Sequence, residues 1–177
     1  MSKAVLISIR PMWCEKIISR EKTIEVRKTR PELETPFKCY IYCTIGRRNL
    51  NIPISRERLV RDYLETGSMK SLNCPHGNGK VIGEFTCERI AIIAYDGGML
   101  SSTTNAAFSP ATCLSQTEII AYIGDKWRCY GWHISGLRIY DMPKNLSEFT
   151  GLRDTRFGAA PYEIKRPPQS WCYVEEV

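Results

Sequence analysis

Residues 3–28, "KAVLISIRPMWCEKIISREKTIEVRK", constrain the fold more than any other stretch, because three different periodicities follow one another there without a loop between them. "KAVLISI" is continuously apolar and reads as a strand buried on both faces. Pro11 suits the first turn of a helix, and Trp13, Cys14, Ile17 and Ile18 then recur at helical spacing as a stripe for core packing. The helix ends near Ser19 to Lys22, and "KTIEVRK" alternates. In a strand successive side chains point to opposite faces, so Thr23, Glu25 and Arg27 share one face and Ile24 and Val26 the other. One face is made for a core and the other for polar chemistry.

Beyond this unit, "TRPELETP" breaks the chain with two prolines and "FKCYIYCTI" forms a third strand. "PISRERLVRDYLETG" predicts an amphipathic helix, capped by Ser55, stopped by Gly67, with Leu59, Val60, Tyr63 and Leu64 on one face. Arg56, Arg58 and Arg61, with Arg47 and Arg48 upstream, form either a basic patch or a solvated helix face. "KVIGEFTCERIAIIAY" is a long strand or a pair, with Gly83 at a bulge or bend. Residues 96–112, "DGGMLSSTTNAAFSPAT", have little periodicity and read as a mobile loop. "SQTEIIAYIG" is a short helix between Ser115 and Gly124, and "YGWHISGLRIYD" and "WCYVEEV" return to strands. With no linker or repeat, the 177 residues read as one domain, 1–177, carrying an inserted helical segment at 45–79. The class is α+β, with flanking helices around a mixed, barrel-like sheet.

The formal net charge of +6 favours anionic partners mildly, since 19 acidic residues are interspersed among the 25 basic ones. The N-terminal apolar run is too short for a signal peptide, and no stretch approaches the roughly 20 apolar residues that span a bilayer. No membrane partner is expected, and the eight cysteines are expected to be reduced thiols in a cytoplasmic protein. Cys39 and Cys43, four apart in a strand, are separated by roughly 13 Å, too far to bridge or to chelate one ion. Cys74 and His76 are the one close pair of possible ligands, and a closed zinc site would need two more, so neither a metal nor another cofactor is expected.

"SIRP", the helix after it, "EKTIEVR" and the later "GKVIGEF" together resemble the ASCH domain (activating-signal-cointegrator homology), a branch of the PUA-like superfamily. "EKTIEVR" stands for the family's G-x-K-x-x-E-x-R motif, which carries Lys22, Glu25 and Arg27 over directly. The resemblance covers the first half closely, and "SQTEIIAYIG" and "GWHISGLRIYD" fit the second half more loosely. One departure is Arg20, where the family has glycine, which demands a different turn or a positive φ on a non-glycine residue. The resemblance implies a β-barrel of the PUA-like kind, with a cleft between barrel and helices that binds RNA or a nucleotide-like ligand. Protein partners are left open.

A carboxylate between a lysine and an arginine accepts hydrogen bonds from a base edge while the cations attract phosphate. Without a cavity beside it, the same trio is a structural ion-pair ladder. Arg10, before the helix N-terminus, joins the expected ligand-binding set of Lys22, Thr23, Glu25 and Arg27. "PPQSW" adds Gln169 and Ser170 as polar contacts and Trp171 as a stacking surface on a stiff loop, with Trp132 a second tryptophan in a late strand. Catalysis is the runner-up: Lys22, Glu25 and Arg27 supply a base and cations for RNA cleavage, and Glu118 is a further acid or base. His133 reads as a satisfied strand imidazole. A related amidohydrolase subgroup, acting on acetylated cytidine, has its threonine at the position of Glu25; Thr23 lies two strand residues away, roughly 6.6 Å, so that mechanism does not transfer. A protein-interaction module using the arginine-bearing helix is the third class.

Overall fold

The computed structural model describes residues 2–67 and 75–177. The chain forms β1 (Lys3–Ile9), α1 (Pro11–Ile18), β2 (Ile24–Arg27), β3 (Phe37–Cys43), α2 (Arg56–Thr66), β4 (Lys80–Tyr95), β5 (Leu100–Ser102), α3 (Gln116–Ile123), β6 (Arg128–Lys144), β7 (Thr150–Thr155), β8 (Gly158–Glu163) and β9 (Trp171–Glu175). Nine strands make one mixed sheet in the order β2-β6-β4-β3-β1-β9-β7-β8, with β5 on β4. β1 and β3 run parallel, and the other ladders are antiparallel.

The sheet is strongly curled. Four strand spacings of about 4.8 Å separate β6 from β9 along the ladder, roughly 19 Å in a flat sheet. Yet the rings of Trp132 on β6 and Trp171 on β9 are 6.1 Å apart, and Phe37 meets Trp132 at 5.9 Å. The ladder order is open, from β2 to β8, so the expected barrel is a curled sheet rather than a ring of hydrogen-bonded strands. Gly83 permits part of the curl where the β4–β6 register shifts, because a Cβ there would sit 2.4 Å from the Arg138 carbonyl oxygen.

Alternation along β1 explains its continuous apolarity. Val5, Ile7 and Ile9 enter one core with Ile17, Ile41, Phe85 and Trp132, while Ala4 and Leu6 enter another with Tyr40, Tyr140 and Phe149. A third core gathers Ile24 and Val26 of β2 with Ile93, Ile119 and Ile123. Residues 96–112, expected as a mobile loop, contribute to that core. They form β5 and two 3-10 turns, Asn105–Phe108 and Pro110–Thr112, and bury Leu100, Ala106 and Ala107. Their small residues, which carry no periodicity, are what let the backbone pack closely against β4.

The inserted segment is anchored at its base, where Leu50 and Ile52 are buried in the first core and Asn51 bridges to His76. α2 has the expected Ser55 cap, and Gly67 ends it in the left-handed conformation. No α2 residue is buried, however, and Val60, Tyr63 and Leu64 are exposed, so the apolar face expected to pack does not do so among the described residues. Cys74 lies outside the described residues. Among those described, the seven cysteines are free thiols, and no cluster of three or more His, Cys, Asp or Glu side chains is arranged to hold a metal. No described helix is long and apolar enough to cross a membrane.

Candidate functional site

α1 delivers the chain to β2 through a tight turn. Ser19 and Arg20 close the helix by donating backbone hydrogen bonds to Glu15 and Ile17, and Lys22 N–H returns to the Lys16 carbonyl at 2.9 Å. Arg20 has φ 63°, so the position where the ASCH motif carries glycine keeps the left-handed geometry with an arginine in it. The turn drops Lys22 into the interior, only 3% exposed.

There Lys22 Nζ donates to the Thr112 carbonyl at 2.6 Å and lies 3.4 Å from Glu25 Oε2. Glu25 Oε1 is 3.0 Å from Arg27 Nε, with the N–H poorly aimed at it, so this contact is ionic rather than a formed hydrogen bond. Glu25 Oε2 is closed off from solvent and has no hydrogen-bond partner. Arg27 Nη2 donates to the Ser8 carbonyl at 2.6 Å, and Nη1 reaches Ser170 Oγ at 3.4 Å. Arg27 therefore ties the β2 edge to the end of β1, and the three charges form a buried row across the mouth of the curled sheet.

The row borders a cavity of about 470 Å³, whose wall also includes Ser8, Ile9, Arg10, Trp13, Thr44, Leu114, Glu118, Tyr122 and Gln169. Ser8 holds the wall together: its hydroxyl donates to the Pro168 carbonyl at 2.6 Å and its N–H to the Ser170 carbonyl at 2.9 Å, presenting Gln169 between them. Trp13, read as core, has the Lys22 ammonium 5.1 Å from its ring centre. Burial pushes the Tyr122 phenol up, with the Glu25 charge adding to the shift and Arg27 opposing it. It therefore faces the charged row as a neutral hydroxyl. Glu118 is exposed at the rim, and the Ser115 N–H and hydroxyl, both at 2.8 Å, hold its carboxyl below the usual range.

The structure brings together Arg10, Lys22, Glu25, Arg27 and Gln169 on the cavity, with Ser170 behind Arg27. Two expected ligand residues are elsewhere. Thr23 is exposed and off the cavity wall, because β2 begins only at Ile24; its N–H bonds the Ala111 carbonyl and its carbonyl the Ile134 N–H, outside the alternation of the strand. Trp171 is half-buried and off the cavity wall. It packs against Trp132 and Tyr173, and its indole N–H donates to Thr29 Oγ1 at 3.0 Å. Trp132 is wholly buried. Among the arginines of the inserted segment, Arg48 pairs with Glu15 and Arg58 with Asp62, which accords with a solvated face.

The chain is an α+β fold in which the first strand, the helix after it and the second strand wall a cavity over a buried Lys–Glu–Arg row. Its fold is similar to that of solved ASCH structures. The crystal structure of ASCH from Zymomonas mobilis superposes with a TM-score of 0.58 at 18% identity, over 98% of this chain and 88% of that one. Two mutant forms of the same protein superpose at TM-scores of 0.53 and 0.52, each at 16% identity and covering at least 98% of this chain. No family model matches the sequence, and no curated protein does.

Proposed function

We propose that the cavity receives a base of RNA or of a nucleotide-like ligand, in a protein of the cytoplasm. The observation that carries this reading is the Glu25 carboxylate, buried between two cations beside a cavity, with its Oε2 making no hydrogen bond. A buried acceptor left unpaired costs free energy, and a ligand N–H that meets it on a small rotation of the Glu25 carboxyl toward the cavity recovers that cost. Exocyclic amino and ring imino groups of nucleobases are such donors. Trp13 and Tyr122 offer rings to a planar ligand, and Arg10 at the exposed rim offers a cation to its phosphate. A volume of about 470 Å³ suits one nucleotide unit rather than a duplex.

Calorimetric titration with the four ribonucleoside monophosphates tests the reading. At least one is expected to bind at one per chain, and Glu25→Gln, which keeps the shape but halves the acceptor capacity, should weaken it about 10- to 100-fold. Unchanged affinity in that variant, or binding of none of the four, counts against the site.

A hydrolytic reading draws on Glu118, which is ionised, exposed and on the cavity wall, and so is available to take a proton from a ribose 2′-hydroxyl. In that reading the 2′-oxygen attacks the adjacent phosphorus as its proton passes to Glu118, the phosphorus bond to the 5′-oxygen breaks, that oxygen takes a proton from solvent, and Lys22 and Arg27 stabilise the charge developing on the phosphate. Single-stranded RNA incubated with the protein should then be cleaved, with Glu118→Gln and Lys22→Ala each lowering the rate about 10²-fold or more. RNA left intact removes the reading and leaves a binding domain.

A further inference from the structure

Beside the cavity, the end of β2 and the start of β6 carry a set of cations and rings that the pocket does not use. Burial of a large apolar side chain is the usual outcome, but Trp127 is 61% exposed, and the Arg128 guanidinium lies 4.3 Å from its ring centre. Arg128 and Arg30 both approach the ring of Tyr130, at 5.7 and 5.8 Å. Lys28 Nζ lies 5.3 Å from the ring of Tyr122, one of the residues that line the cavity. Lys28 therefore joins the cavity wall at Tyr122, and Arg30, Arg128 and Trp127 extend the set of cations and rings at the neighbouring ends of β2 and β6. Among the described residues Lys28, Arg30 and Arg128 have no carboxylate within ion-pair distance, although their segments also carry Asp125, Glu32 and Glu34.

We propose that this ridge is the track for a single-stranded nucleic acid whose neighbouring base occupies the cavity. The inference rests on the cavity reading and extends it from a mononucleotide unit to a strand. Unpaired cations answer phosphates, an exposed indole answers the face of any base, and their alternation along an edge is the arrangement that binds single strands with little sequence preference. Arg128 holds the Trp127 ring on one side and leaves the other for a base. A duplex would bury its base faces and use the indole for nothing.

The test is fluorescence anisotropy of a labelled single-stranded RNA of about 12 nucleotides, within the span such grooves hold, alongside calorimetry with the best-bound ribonucleoside monophosphate. Trp127→Ala should weaken RNA binding about tenfold or more while leaving the monophosphate affinity unchanged. Lys28→Glu, a charge reversal at an exposed position, should weaken RNA binding as well and flatten the salt dependence by roughly one contact, a slope change of about 0.7. RNA binding abolished by Glu25→Gln but indifferent to both ridge variants overturns the track and spares the cavity. RNA binding that needs the ridge but not Glu25 upholds the track and overturns the cavity. If the wild type binds phosphatidylglycerol vesicles through Trp127 and no RNA at low salt, the ridge is a lipid surface and the proposal fails.

Discussion

Lys22 Nζ donates to the carbonyl oxygen of Thr112 at 2.6 Å, joining residues ninety positions apart and fastening the segment between β5 and α3 to the charged row. Thr112 is itself wholly buried, its hydroxyl donating to the Ser109 carbonyl at 3.1 Å. The lysine thus donates to a backbone carbonyl while its charge stands at ion-pair distance from the Glu25 carboxylate.

Removing that cation leaves both acceptors buried with less compensation. Lys22→Met, similar in length but uncharged, is expected to lower stability by about 3 kcal/mol, the scale of a broken buried ion pair. Urea unfolding checks this. A loss below about 1 kcal/mol would mean that Arg27 alone neutralises Glu25.

Arg20 holds a left-handed conformation that costs a side-chain-bearing residue roughly 1 kcal/mol. Arg20→Gly removes that strain, against a smaller cost in unfolded-chain entropy. The variant should melt at the same temperature as the wild type or a few degrees higher. A clear fall would show that the exposed arginine makes a stabilising contact outweighing its backbone strain.

His133 sits on β6 with its Nε2 closed off and unbonded, and desolvation first, with the Arg89 charge second, lowers its pKa from the usual 6.5. A group whose folded pKa is depressed binds fewer protons in the folded state. Its contribution is complete above pH 6.5 and is lost as pH falls through the lower folded value. Denaturation midpoints should therefore drop on acidification from about pH 6.5, and His133→Gln should flatten that limb. A parallel decline in the variant would assign the loss to carboxylates instead.

Much of the site was legible locally. Alternation in "IEVR" was enough to send Ile24 and Val26 into an apolar core and Glu25 and Arg27 into the charged row, because the two-residue period of a strand is a property of the backbone itself. The proline start of α1, the caps of α2 and α3 and the positive φ demanded at Arg20 follow from equally local chemistry. The same reasoning failed at Thr23, one residue outside the strand, where hydrogen bonds to Ala111 and Ile134 set the direction instead.

What only the tertiary structure decided is which groups meet. Sequence pattern reads Trp13 as core and Trp171 as a platform; Trp13 packs against the first core and lines the cavity as well, while the curl of the sheet sets Trp171 against Trp132. Ser8, Thr112 and Tyr122 reach the site through backbone carbonyls and long-range packing, which leave no periodic signature. The local chain determines which face a side chain takes, over a range of a few residues. The partner across that face is chosen by strand order and curvature, and these depend on contacts among residues more than a hundred positions apart.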